Sequence, residues 1–482
     1  MLGKASPRED RKDALRARLR CMCICVCLFL VALPLAPAQA AEKGTVPDVT
    51  WGASRTDVDR TVAAMSDAGV RWTRLNVSWA AIEPAADDAY DPTSLADLDY
   101  AVAKVRAAGI AVVMPVADSV PYWASGDPAK VLDVLGRRWD KRYRPTSMAD
   151  YADFFSFVAG RYAPVGVHVY EVWNEPNLAQ FWPSGVNAAE YKLMLAAAHG
   201  AIKAADPQAT VLVGGLSQHD RDFLTQLYAA GGRPYFDAVG DHTYPWGDPA
   251  NCWNDGSGKR SRDTLCGIEE VRRVMEANGD AAKQIWITEM GWSTYVGSGG
   301  VSEAQQADYL LNAYRRLESY PYVRAALQYN FRNTVARGEN PYDYNGNFGL
   351  LRIDFSRKPA YDAFKSYTPG SGGTAPSPPK GKKRSTTTTT IEGVRRVSGA
   401  SASRRTGAKL LRGRVLGARS GGITVRIERR SRRGAKVVRT ELHRGRFKVR
   451  VRVKRGRWEA VARFRGSERL EPSSSKPRRF RA

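Results

Sequence analysis

The 482-residue chain has only six cysteines and five histidines. Four of the cysteines, Cys21, Cys23, Cys25 and Cys27, stand within the first forty residues, so only Cys252 and Cys266 remain beyond them. Two cysteines cannot frame a disulfide-rich fold, and with no cluster of histidine or cysteine nearby they do not point to a metal site. After residue 40 no run of 18 apolar residues occurs, so no spanning helix is expected in the mature chain. No glycine-rich phosphate or dinucleotide loop follows the first candidate strand, which argues against nucleotide chemistry. Aspartate is absent from Ile391 to Ala482, where thirty Lys or Arg face six Glu, and this stretch carries +24 of the chain's net +25. Residues 41–370 are net acidic, at about −7. The chain therefore divides into an acidic body and a strongly basic tail, and its overall charge describes neither.

Residues 1–40 read as a signal peptide. Arg16, Arg18 and Arg20 precede the apolar run Met22–Leu35, and Ala38-Gln39-Ala40 has the small-x-small form of a cleavage site. The mature chain is then expected outside the cytoplasm, secreted or associated with the cell envelope; an uncleaved anchor is the alternative. No leader cysteine follows the apolar run in the manner of a lipid attachment site. In an exported chain Cys252 and Cys266 are expected to pair as a disulfide, which stabilises by about 2–4 kcal/mol when unstrained.

From Val49 to Tyr367 apolar runs alternate with helical stretches. Strands are expected at Val49–Gly52, Trp72–Val77, Ile110–Val116, Val167–Trp173, Thr210–Gly214, Ala238–Thr243, from Ile285, and at Val323–Phe331. Helices are expected at Asp57–Ala68, Leu95–Ala108, Tyr151–Tyr162, Ala188–Ala204, Asp222–Ala230, Ile268–Ala277, Ser302–Leu317 and Pro359–Tyr367. This alternation predicts an α/β fold, a (β/α)8 TIM barrel over residues 41–368. Residues 369–390, rich in Pro, Gly, Ser and Thr, have no apolar face to bury and read as a linker. Residues 391–482 predict a small all-β sandwich with strands at Leu410–Leu416, Ile423–Ile427, Val437–Leu442, Phe447–Val453 and Trp458–Phe464. Phe447, Val449, Val451 and Val453 alternate with Lys448, Arg450, Arg452 and Lys454, so one face of that strand is apolar and the other cationic.

Two strand ends carry the chemistry. The run V-Y-E-V-W ends in Asn174-Glu175-Pro176, and I-W-I-T-E-M-G-W places Glu289 at the end of another apolar run. In a barrel these are the fourth and seventh strands, whose carboxyl ends face each other across the mouth. Paired carboxylates so placed suit glycoside cleavage, one protonating the leaving oxygen while the other attacks the anomeric carbon or activates water. A separation of roughly 5–5.5 Å means retention of configuration, and roughly 6.5–9.5 Å means inversion.

On the W-N-E-P-N and T-E-M-G-W pieces the chain resembles the clan of retaining glycoside hydrolases with barrel folds. It is most similar to family 39 and bacterial exopolysaccharide hydrolases, with family 5 next. The resemblance implies Glu175 as acid/base, Glu289 as nucleophile, and Asn174 as the partner of the sugar 2-hydroxyl. It further implies Arg74, from W-T-R-L-N, beneath the nucleophile, and His242 and Tyr244 beside it, with Tyr244 bonded to Glu289. Arg74 could instead neutralise a buried acid, and His242 could be structural. Where many members carry a tryptophan after the eighth strand, this chain has Gln328-Tyr329-Asn330-Phe331, which leaves the floor of the sugar site open, with Tyr329 a candidate substrate-binding or supporting residue. The basic domain looks like a small bacterial immunoglobulin-like sandwich.

Trp79, Trp123, Trp173, Trp182, Trp246 and Trp292 follow strand ends or lie in their loops, where indoles stack on sugars, though at least two are expected to be packing. Such a rim, with its long strand-end loops, suggests endo action on a polysaccharide; the paired-carboxylate chemistry requires no cofactor, and a monomer is expected. An exo-acting β-glycosidase, a transglycosylase and an inactive carbohydrate-binding protein are the alternatives. The basic domain is either a solvated face or a contact to anionic cell envelope or acidic polysaccharide. Nucleic acid is disfavoured, because the segment lacks interleaved exposed aromatics.

Overall fold

The computed structural model describes residues 40–370, except 48, 51, 118, 134–135, 139, 256, 298 and 335–339, and beyond 387 the strands of a carboxyl-terminal region. The candidate leader through residue 39, with its four cysteines, and residues 371–387 of the candidate linker lie outside the described residues.

Eight parallel strands close into a barrel: β1 (Glu42–Val46), β2 (Trp72–Arg74), β3 (Ala111–Val116), β4 (Val169–Val172), β5 (Thr210–Ser217), β6 (Ala238–Thr243), β7 (Ile285–Met290) and β8 (Val323–Tyr329). They follow one another in sequence order around the barrel, and β1 pairs with both β2 and β8 to close it. Helices α1 (Arg55–Asp67), α2 (Pro92–Ala107), α3 (Met148–Tyr162), α4 (Ala188–Ala205), α5 (Arg221–Ala229), α6 (Ile268–Ala277), α7 (Glu303–Leu317) and α8 (Pro359–Ser366) alternate with them. The fold is a TIM barrel, as the alternation predicts. Side chains supply the helix starts: Ser54, Asp91, Ser147, Asn187 and Asp220 accept from free amides of the first turn, and Ser302 with Gln305 forms a capping box.

The first strand is Glu42–Val46, not Val49–Gly52. Its residues look too polar for a barrel strand, yet each polar group has an internal partner. Lys43 Nζ donates to the carbonyls of Phe364 at 2.8 Å and Tyr367 at 2.9 Å, and Thr45 Oγ1 to that of Gln328 at 3.0 Å. Glu42 pairs with Arg324. β5 also outruns its expected end at Gly214, continuing through Gly214-Gly215 to Ser217. The irregular stretch before α3 contains a two-stranded hairpin, Val131–Asp133 with Gly136–Arg138.

Two apolar groups hold the barrel. The larger lies between strands and helices; the smaller, with Val46, Val113, Val169, Leu212, Ala238, Trp286, Ala325 and Leu327, fills the lumen. Val169, Ala238 and Trp286 of this group lie at the amino ends of β4, β6 and β7, so the polar side chains at the carboxyl ends of those strands stand above apolar packing.

The carboxyl-terminal region forms two antiparallel sheets. One is β9 (Thr388–Arg396), β10 (Thr406–Leu416) and β13 (Arg446–Lys454). The other is built from β11 (Gly422–Arg429), β12 (Ala435–Glu441), β14 (Arg457–Phe464), β15 (Ser473–Ser474) and β16 (Arg478–Arg481). Ile391, Leu411, Phe447 and Val449 of the first share a core with Ile423, Val425, Trp458 and Ala460 of the second. The candidate linker therefore ends before residue 390: Thr388, Thr389 and Thr390 belong to β9, and Thr389 is buried. Among the described residues no helix is long and apolar enough to cross a membrane.

Candidate active site

Arg74, the last residue of β2, is the hub of the barrel mouth. It is buried, and its guanidinium donates in three directions: Nε to Oε2 of Glu171 at 2.6 Å, Nη1 to Oε1 of Glu289 at 2.8 Å, and Nη2 to Oδ1 of Asn174 at 3.1 Å. Burial works against the cation, but the carboxylates of Glu171 and Glu289 outweigh it and hold its pKa above the ordinary arginine value.

Glu171 is the residue that sequence reading missed. It lies inside β4, fully buried. Besides the arginine it accepts from Thr288 Oγ1 at 2.7 Å and from the backbone N–H of Gly215 at 2.9 Å, so both oxygens are bonded. Both readings of Arg74 hold together: it neutralises a buried acid and it binds Glu289. A glutamate in a strand otherwise valine and aromatic was the available signal, as were the glycines facing it. A Cβ on Gly240 would stand 2.7 Å from Oε1 of Glu171, and one on Gly215 would stand 2.0 Å from Nε2 of His242. These strands carry glycine because two polar side chains occupy the space.

Beyond Val172 the chain turns sharply, with Trp173 at φ 74° and Glu175 at φ 46°. Left-handed backbone at non-glycine residues costs about 1–3 kcal/mol and collects where a side chain must be aimed. Here it turns Glu175 over the mouth, where the residue remains 8% exposed. Asn174, its Oδ1 bonded to Arg74, has its amide nitrogen turned away from the guanidinium.

Glu289, near the end of β7, keeps 13% of its side chain exposed. Its Oε1 accepts from Arg74, and its Oε2 accepts from the phenol of Tyr244. Burial and then the charge of Glu289 push the Tyr244 hydroxyl well above the usual phenol value, so it stays protonated and donates. His242 of β6 is completely buried between the two acids, its Nδ1 lying 3.1 Å from Oε1 of Glu175 and 3.6 Å from Oε2 of Glu289. Burial alone would lower its pKa; Glu289 and Glu175 together raise it. One nitrogen within 3.6 Å of an oxygen from each carboxylate keeps the two acids together in one small site.

The candidate substrate-side residue Tyr329 ends β8 and belongs to an aromatic wall that includes Tyr244, the partner of Glu289. Its ring centroid is 6.1 Å from that of Tyr244 and 5.5 Å from that of Phe348. Tyr344, 44% exposed, extends the wall from Phe348 at 5.1 Å. Phe348 and Tyr344 lie in the loop before α8, and no periodic signal marked them.

Most of the expected rim tryptophans are not on the rim. Trp79, Trp173 and Trp182 are core residues with their indole N–H groups bonded inside, to Glu83 at 2.6 Å, to the Phe181 carbonyl at 2.9 Å and to Glu190 at 3.4 Å. Trp292 is also buried, donating to the Gly247 carbonyl at 3.2 Å. Trp123 is part-buried, edge-on to Trp79 and bonded to the Glu83 carbonyl. Only Trp246, 42% exposed, keeps an open face. The indoles lost their rim positions because they close the helix layer beneath the loops, where large apolar area is worth most. Cys252 and Cys266 stand as a candidate disulfide pair in the loop between β6 and α6, their Cα atoms 5.8 Å apart. Among the described residues no group of three or more His, Cys, Asp or Glu is arranged to hold a metal ion.

The chain matches the cellulase model of glycosyl hydrolase family 5 over residues 36–329. It is 26% identical over 206 residues to a beta-xylosidase of Geobacillus stearothermophilus, a match covering 41% of this chain and 40% of that protein. Among solved structures it overlays a family 39 glycoside hydrolase from Bacteroides cellulosilyticus with a TM-score of 0.54 and 20% identity, covering 85% of this chain and 81% of the other. A family 39 enzyme from Xanthomonas axonopodis pv. citri overlays with a TM-score of 0.52 and 16% identity, covering 86% and 92%. At such identities the overlays speak for the fold. The family model covers more than half of the chain and includes every residue of the site from Arg74 to Tyr329. The chain belongs to glycosyl hydrolase family 5.

Proposed function

We propose that the barrel is a retaining β-glycosidase working by double displacement, with Glu289 as nucleophile and Glu175 as acid/base. The observation that carries this reading is the unequal company of the two carboxylates. Glu289 is held by two strong donors, Arg74 and Tyr244, which fix its position and aim. Among the described residues the Glu175 carboxylate has one side-chain hydrogen-bond partner, the histidine His242. In the first step Glu289 attacks the anomeric carbon while Glu175 gives its proton to the departing oxygen. In the second, Glu175 takes a proton from water, which releases the sugar from Glu289. In this reading the amide nitrogen of Asn174 donates to the sugar 2-hydroxyl, and Tyr329 supplies an aromatic floor.

Endo action on a polysaccharide is the mode we carry, on the exposed faces of Trp246 and Tyr344 and the long loop before α3. Exo action is favoured by one observation: Trp79, Trp173 and Trp182 are core residues, which leaves fewer platforms for distant sugar units. Product sizing on plant, fungal and bacterial polysaccharides, beside a panel of aryl β-glycosides, tests both. A ladder of oligosaccharides supports the endo mode, release of single sugars alone supports exo action, and no turnover on any of them counts against an enzyme.

A further inference from the structure

The outer face of the three-stranded sheet in the carboxyl-terminal domain sets like charges opposite one another. On β13 the side chains of Phe447, Val449, Val451 and Val453 are buried, and those of Arg446, Lys448 and Arg450 are exposed. On β10 Leu411 and Val415 are buried, with Arg412 and Arg414 exposed. The register places Arg414 opposite Arg446 and Arg412 opposite Lys448. Cross-strand like charges are destabilising, and a wet sheet face ordinarily mixes signs. The other sheet does so: Glu459 of β14 pairs with Arg479 of β16 at 3.3 Å. On the cationic face one acid is present among the described residues, Glu392 of β9, and Arg414 takes it at 2.8 Å. Arg412, Arg446, Lys448 and Arg450 have no acidic partner among the described residues.

We propose that this face is a binding surface for a carboxylated polysaccharide, holding the enzyme on an anionic glycan. Side chains alternate about 7 Å apart along each strand, with the strands about 4.8 Å apart, so the cations form a flat, regular array. Such an array suits a linear chain whose carboxylates repeat along it. Nucleic acid fits less well, since the one aromatic residue in the strands of this sheet, Phe447, is buried and leaves no stacking platform on it. A membrane fits less well because the described residues of this face include no exposed large apolar side chain to insert. The choice of polysaccharide rests on the proposed function of the barrel; the choice of a polyanion does not.

The test uses the full chain carrying Glu289→Gln, so that any bound glycan stays intact, and measures affinity for sodium alginate across a salt series. Alginate should bind at least tenfold more tightly than neutral pullulan, and its affinity should fall steeply as salt rises. Combining Arg446→Gln, Lys448→Gln and Arg450→Gln should weaken binding tenfold or more and flatten the salt slope, with the melting transition and aryl-glycoside turnover of the otherwise wild-type chain unchanged. Equal binding by the triple variant, equal binding of pullulan, or tighter binding of duplex DNA or anionic phospholipid vesicles would overturn the proposal. Failure of the catalytic reading would show separately, as turnover that survives Glu289→Gln.

Discussion

The barrel mouth and the cationic sheet treat charge in opposite ways. In the mouth, one guanidinium serves two carboxylates and an amide within 3.1 Å, and a histidine lies between two acids. On the sheet, cations face cations across β10 and β13, and among the described residues of that face only Arg414 has an acid at hand. The first arrangement is closed and the second open, and the difference teaches what each can do. Buried charges must be compensated, and compensation fixes their positions, which catalysis requires. Exposed charges need no compensation from the protein, because solvent and counterions supply it until a ligand does.

The comparison can be broken first at the mouth. Glu289→Gln should lower turnover by roughly 10⁴-fold or more while leaving the barrel folded, measured as kcat beside the melting transition; wild-type-like rates would remove the nucleophile from its role. Next in size, Arg74→Met strips Glu171 of its buried partner and should destabilise the barrel by about 3–5 kcal/mol in denaturant unfolding. Adding Glu171→Gln should recover part of that loss, because the two residues form one unit. Two costs that simply add would show that the pair is not coupled.

A smaller effect concerns pH. His242 is raised above its ordinary value of 6.5 by Glu289 and Glu175 against burial, so its charged form is the one the fold favours. Its stabilisation should be complete below about pH 6.5 and disappear as pH rises through its folded-state value. The stability gap between wild type and His242→Gln should therefore narrow on going alkaline. A gap that widened would show that the neutral ring is the favoured form. Smallest of all, replacing Arg446, Lys448 and Arg450 by glutamine should leave stability unchanged or raise it by about a few tenths of a kcal/mol, since like-charge neighbours are removed. A clear loss of stability would mean that these cations have partners after all, and the contrast with the mouth would fail.

Much of this was legible in the sequence, and the exceptions share a cause. β6 and α6 match their expected limits because β6 is bounded by turn residues and α6 has a strong apolar stripe. The site set of Arg74, Asn174, Glu175, His242, Tyr244 and Glu289 converges because all six stand at or just beyond strand ends, which a barrel brings to one rim. Strand β1 was hidden because its polar residues find partners on distant segments, Lys43 on the end of α8 and Thr45 on β8. Glu171 was hidden for the same reason, its solvation being supplied by Arg74, Thr288 and Gly215 from other strands. The tryptophans misled in the opposite direction. Proximity to a strand end says that an indole is near the rim, but whether its face is open depends on what packs over it, as Phe154 does with Trp79.

The account stands most directly on the division of labour between Glu289 and Glu175. Glu175→Ala, assayed on an activated aryl β-glycoside with sodium azide, should recover turnover and yield the β-glycosyl azide, since azide then attacks a glycosyl-enzyme held on Glu289. An α-azide from this variant, or no rescue by azide on a glycoside that the wild type cleaves, would contradict it.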